Sequence, residues 1–212
     1  MGFFMSDFAS PDGIIRFLLR LPAILWAISF HEFCHGWVAY KLGDRTAAYQ
    51  GRLSLNPLAH LDLVGAIMLL FVGFGWAKPV PINSRYFKNP RRDIALVSVA
   101  GAAGNFLTAF VCGIVASVAP FAIRGAMGLF MITLLYINVG LGVFNLIPIP
   151  PLDGSKILGV MLPPSMMRAY FFLEQYGMII ILVLVFTNIL PMIMSPIVYN
   201  VAKLLARPLV YY

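Results

Sequence analysis

Charge is scarce in this sequence. Asp, Glu, Lys and Arg make up 11% of the 212 residues, against about 25% in a typical soluble domain. That scarcity excludes a soluble globular fold, the more so because 61% of the residues are hydrophobic and the mean hydropathy is +0.89. Cysteine is nearly missing. Cys34 and Cys112 both lie in apolar stretches, so no disulfide framework is expected. Acidic residues are the rarer charge, 8 against 15 basic ones, which leaves a net charge of +7. The basic surplus does not make a nucleic-acid binder, because the cations sit between apolar runs, where the positive-inside rule places them. Residues 1–11 hold no basic residue and lead to no small-residue cleavage site, so no signal peptide is expected.

Long apolar runs are what the sequence has in abundance. A bilayer core of about 30 Å takes about 20 helical residues to cross. Residues 22–42, 94–123, 125–148 and 170–190 meet that length. Arg16 and Arg20 would precede the first span at the interface, with Pro22 in its first turn. Residues 191–212 are apolar but broken by Pro191, Pro196 and Pro208, which suits an interfacial helix or a partial span. The expected fold is an all-α polytopic membrane protein of about five transmembrane helices, with residues 1–212 as one membrane-embedded domain.

Residues 44–93 form an insert after the first span. Alternation at Arg52-Leu53-Ser54-Leu55 suggests a short strand. Residues 63–76 are apolar but short, about 21 Å as a helix, which fits a re-entrant segment better than a crossing. The stretches "AKPVPIN" and "KNPRRD" read as loop. A re-entrant segment puts Lys41, Arg45, Arg52, the cations from Lys78 to Arg92, Lys156 and Arg168 on one face, against Arg16, Arg20 and Arg124. A full crossing also leaves a bias, so charge leans toward re-entry without deciding it.

Against this apolar background stands "HEFCH", His31 to His35. A charge near mid-bilayer costs roughly 2.5–3.5 kcal/mol on insertion scales, so polar groups there usually serve a function. Four residues apart on a helix, the two imidazoles project about 40° from each other and can share one metal ion. In the HExxH pattern the glutamate, here Glu32, acts as general base. The alternative is a packed histidine pair bonded to neighbouring helices. Catalytic zinc commonly takes three protein ligands, the third often a carboxylate. Asp153 in "FNLIPIPPLDG" is one candidate, since Pro148, Pro150 and Pro151 must break the preceding helix. His60 and Asp62 in "NPLAHLD" are rivals, and Asp153 could instead cap the helix that follows it. Cys34 reads as a small packing residue.

The segments "SFHEFCHGWVAYKLGD" and "FNLIPIPPLDGSKIL", in that order, resemble the site-2 protease family of intramembrane zinc metalloproteases. The intervening "GRLSLNPLAHLD" and "GWAKPVPIN" resemble a compact bacterial branch without PDZ or CBS domains. The likeness runs from about Ile24 to Lys156. It implies one Zn2+ per chain on His31, His35 and Asp153, with Glu32 as catalytic base. Asn145, eight residues before Asp153, matches an asparagine implicated in holding substrate or oxyanion. His60 receives no role from the resemblance and stands as a possible accessory residue. "AGAAGN", Ala100 to Asn105, departs from the family's Ala-Gly-Pro and leaves a local kink in doubt.

The resemblance further implies hydrolysis of peptide bonds in or near transmembrane segments of membrane protein substrates. It suggests a bacterial plasma membrane and needs both motifs at one depth, which supports re-entry; the cation bias then puts the active site near the cytoplasmic face. An unwound substrate would pair with the strand expected at Arg52 to Leu55. Two rival readings are a zinc-binding or transport protein and a catalytically inactive scaffold. The chain shows no internal repeat, the common mark of transporters, and it retains Glu32.

Overall fold

The computed structural model describes residues 11–72, 75–119 and 124–210. The start read for a signal peptide, Pro120, and residues 73–74 of the short apolar segment lie outside them.

Helix α1 (Pro11–Lys41) starts 11 residues before the first expected span. Arg16 and Arg20 are therefore helical, and Pro22 lies inside the helix instead of in its first turn. Proline removes one hydrogen bond, and apolar residues on both sides of it carry the helix through. The next long helices are α4 (Pro90–Val118), α5 (Gly125–Asn145) and α7 (Met167–Phe186). Among the described residues, four helical stretches are long and apolar enough to cross a membrane: Gly13–Lys41, Pro90–Val118, Gly125–Asn145 and Pro164–Phe186. The protein is thus an all-helical, polytopic membrane-type fold.

The bundle is packed with small residues inside and large ones outside. On α4, Gly101, Ala102, Gly104, Ala109, Gly113 and Ala116 are buried, while Leu107, Phe110, Val111 and Ile114 are exposed. Lipid is as apolar as leucine, so helix association there gains from close backbone approach, which small residues allow. Helices α8 (Ile189–Leu205) and α9 (Arg207–Val210) close the bundle. Ala202, Ala206 and Leu209 share a buried cluster with Ala109, Cys112, Ala116, Leu135 and Val139. The C-terminal tail is therefore packed against α4 and α5 despite Pro196 within it.

The insert differs from expectation at one point. Residues 52–55 form no strand; they follow the short helix α2 (Thr46–Tyr49) as turn and bend. Gly51 adopts φ +65°, which turns the chain, and Ser54 Oγ accepts the N–H of Asn56 in a local turn. The extended neighbour is 77–83, where Pro79 and Pro81 carry no N–H for a ladder. Arg52 instead reaches the carbonyls of Lys78 (2.7 Å) and Pro79 (3.1 Å) with its guanidinium.

The short apolar segment forms α3 (Leu63–Val72), about 15 Å long and too short to cross a bilayer as a helix. Its entry and exit lie side by side, since Lys78 N–H donates to His60 O at 2.9 Å. Asp44, 1% exposed, joins the end of α1 to the loop before α4. One of its carboxylate oxygens accepts from Thr46, and the other from Asn83 N–H at 2.6 Å.

Candidate metal centre

His31 and His35 lie on successive turns of α1, buried beneath α4 (each 5% exposed). Asp153 is the first residue of α6 (Asp153–Met161) and equally buried. The tight turns of residues 147–152 deliver it to the histidines, with Leu152 N–H closing on Ile149 O at 3.0 Å. Leu152 and not Asp153 occupies the cap position of α6, so the capping alternative does not hold. Gly154 next to it is required by space: an added Cβ would meet the Leu146 carbonyl.

One atom from each residue converges. His31 Nε2 is 3.1 Å and His35 Nε2 2.9 Å from Asp153 Oδ2, and the two Nε2 atoms are 2.9 Å apart. In a zinc tetrahedron with bonds of about 2.0–2.1 Å the ligand atoms are about 3.3 Å apart. The observed triangle is a few tenths of an ångström tighter.

The hydrogen bonds behind the rings fix what faces inward. His35 Nδ1 lies 2.6 Å from Val97 O, a carbonyl that can only accept, so Nδ1 carries a proton. His31 Nδ1 lies 2.7 Å from Asn105 Oδ1. Asn105 Nδ2 donates to Ala27 O and to Asn138 Oδ1, both at 3.0 Å, which identifies Oδ1 as the acceptor and gives His31 its Nδ1 proton. Each Nε2 therefore turns its bare position toward the other and toward a carboxylate. Three electron-rich atoms at 3 Å repel unless something positive sits among them. A divalent ion meets that need, and the N2O donor set suits zinc.

Burial works against ionisation of Asp153, while the charge of Lys156 favours it. Lys156 Nζ sits 2.9 Å from Asp153 Oδ1.

Gly101 of α4 closes the site from the opposite wall. A Cβ there would lie 2.6 Å from His31 Nε2 and clash with His35 Nε2. The small-residue stripe expected for helix packing thus also keeps the space beside the imidazoles open. Gly104 faces the Cys34 sulfur, and Cys34 is not part of the metal-ligating group, in keeping with packing.

Glu32 lies between the histidines in sequence, and its Oε2 accepts the Val80 N–H at 2.8 Å. Asn145, the last residue of α5, bonds Leu141 O of its own helix at 3.0 Å. His60 and Asp62 stand outside the cluster. His60 Nε2 donates to Ser54 O at 2.7 Å, and Asp62 Oδ1 accepts Gly65 N–H at the start of α3. Asn105, Asn138 and the Val97 carbonyl were not assigned any role from sequence. Two asparagines within apolar runs were the available signal, since buried amides in membrane helices seek partners across helices.

No family model matches the chain, and no solved structure matches it. Curated relatives do. The chain is 43% identical over 172 residues to "Putative zinc metalloprotease YwhC" of Bacillus subtilis, covering 77% of this chain and 78% of that one. It is 30% identical over 183 residues to "Putative zinc metalloprotease Rip2" of Mycolicibacterium smegmatis, covering 81% and 68%. It is 31% identical over 158 residues to "Putative zinc metalloprotease MJ0611" of Methanocaldococcus jannaschii, covering 71% and 75%. With such identity spread over most of both chains, and a His-His-Asp cluster whose donors suit zinc, this protein belongs to that zinc metalloprotease family.

Proposed function

We propose that this protein is an intramembrane zinc metalloprotease of the site-2 type, hydrolysing peptide bonds in or near transmembrane segments of other membrane proteins. The observation that carries the reading is the convergence of Asp153 on His31 and His35, which with Glu32 lie on α1, a helix long and apolar enough to span a bilayer. In this reading His31, His35 and Asp153 hold one zinc ion. Zinc so held supplies Lewis acidity and a bound water whose pKa falls to about 7.

Glu32 takes the proton of the attacking water through Oε1, its Oε2 being anchored by the Val80 N–H. The new C–O bond moves the carbonyl π electrons onto oxygen; Glu32 then gives the proton to the amine, and return of those electrons breaks the C–N bond. Asn145 would rotate away from Leu141 O to donate to the developing oxyanion. Asn105 and the Val97 carbonyl hold the two rings in the tautomer the site needs. The paired ends of the α3 segment support re-entry. The cation bias supports loops and a site on the cytoplasmic face, and the Bacillus subtilis relative supports a bacterial plasma membrane.

The test uses Glu32→Gln in the full chain, with a panel of single-span membrane proteins as substrates. Retained zinc together with a cleavage rate lower by about 10²- to 10⁴-fold is the expected result. Undiminished cleavage would remove Glu32 from the chemistry. An absence of cleavage by wild type across the panel, with zinc bound, would favour a scaffold.

A further inference from the structure

The two oxygens of the Asp153 carboxylate have different neighbours. Oδ2 lies 3.1 Å from His31 Nε2 and 2.9 Å from His35 Nε2. Oδ1 lies 2.9 Å from Lys156 Nζ. A pair three residues apart on a helix contributes little where both partners are exposed. Here the Asp153 side chain is 7% exposed and that of Lys156 47%. The lysine reaches in from the edge of the site and places its ammonium on a buried carboxylate.

The backbone under Asp153 is already fixed. Ser155 gives both its N–H (3.1 Å) and its Oγ–H (2.6 Å) to Leu152 O. Gly154 lies so close to the Leu146 carbonyl that a Cβ would not fit. These contacts set where the Asp153 side chain starts. They do not set how its carboxylate turns, because rotation about Cβ–Cγ is soft for this residue type. The ammonium on Oδ1 does. Lys156 stands one helical turn from Asp153 on α6, so the two move as one piece.

Resting on the zinc-site reading above, we propose that Lys156 is a positioning residue that makes Asp153 a one-oxygen ligand. Its ammonium keeps Oδ1, and Oδ2 alone faces the metal position. Two imidazole nitrogens and one carboxylate oxygen leave a fourth tetrahedral position for water. A carboxylate offering both oxygens would crowd that position, and it suits ions that take more oxygen ligands, such as Ca2+. Lys156 thus does for the carboxylate what Asn105 and the Val97 carbonyl do for the rings.

The test needs no cleavage. Full-length wild type, Lys156→Met and Lys156→Arg are purified in mild detergent, stripped of zinc and titrated with Co2+. The visible absorption of Co2+ is intense when the ion is four-coordinate and weak when a fifth ligand joins. Wild type is expected to show the intense bands. Lys156→Met is expected to lose most of that intensity, and its zinc affinity, read by chelator competition, to fall about 10- to 100-fold. Lys156→Arg, which keeps a donor for Oδ1, is expected to restore both.

An unchanged spectrum in Lys156→Met overturns the proposal, with or without a loss of affinity, since affinity alone can follow from the missing charge. A Lys156→Arg spectrum that stays weak overturns it too. Wild type that takes up no Co2+ would remove the metal site and the proposal with it. Co2+ uptake with an unchanged Lys156→Met spectrum would leave the site standing and sink only the lysine's part.

Discussion

The two histidine environments of this protein are built on opposite plans. In the cluster the Nδ1 atoms of His31 and His35 are held by Asn105 and the Val97 carbonyl of α4, while both Nε2 atoms converge on Asp153 Oδ2. Asn105 and Asn138, both 0% exposed, extend that order into the bundle. In the insert, His60 is as deeply buried but has one nitrogen met and the other not. The first plan freezes rings before any substrate arrives, which metal geometry demands. The second leaves one ring nitrogen unmet.

That contrast can be broken by filling the space at the rigid site. Gly101→Val would place side-chain atoms against both Nε2 positions. Zinc content is expected to fall below about one tenth of wild type, because no ring can retreat without losing Val97 O or Asn105. Normal zinc in a folded Gly101→Val protein would mean that the helices shift apart more easily than this packing suggests.

A milder intervention removes the support and spares the ligands. Asn105→Leu deletes the bond to His31 Nδ1 and frees the ring to choose its other tautomer. Zinc affinity, read by competition with a chromophoric chelator, is expected to drop about 10- to 100-fold. An unchanged affinity would show that His31 needs no orientation from α4.

The smallest effect is expected in the insert. Asp44→Ala removes the bonds to Thr46 and Asn83 that tie α1 to the loop before α4. We expect a loss of about 1–3 kcal/mol in stability against denaturant, with zinc stoichiometry unchanged. Zinc loss in this variant would mean that the insert and the metal site are one cooperative unit.

The sequence disclosed the parts of this architecture that depend on local pattern. The apolar runs marked the long helices, because crossing lipid fixes both length and composition. "HEFCH" gave two members of the His-His-Asp cluster, since helical spacing alone brings them to one face. The proline break before Asp153 marked a place where a carboxylate could turn inward. What stayed hidden depends on distant pairing. Asn105 and Val97 lie more than sixty residues from the histidines they orient, and nothing local announces the match. The strand expected at Arg52 to Leu55 failed for a related reason. Alternation describes one edge only, and in the neighbouring 77–83 stretch Pro79 and Pro81 have no N–H while those of Lys78, Val80 and Asn83 go to His60 O, Glu32 and Asp44. The first helix ran past Pro22 because apolar neighbours on both sides outweigh one missing bond.

The central claim is that two motifs more than a hundred residues apart make a single metal site. The measurement that tests it most directly is the metal content of the purified full chain, wild type beside Asp153→Ala, prepared in mild detergent without chelators. The account predicts close to one zinc per wild-type chain and nearly none in the variant. Full zinc retention in Asp153→Ala would contradict it and move the third ligand elsewhere.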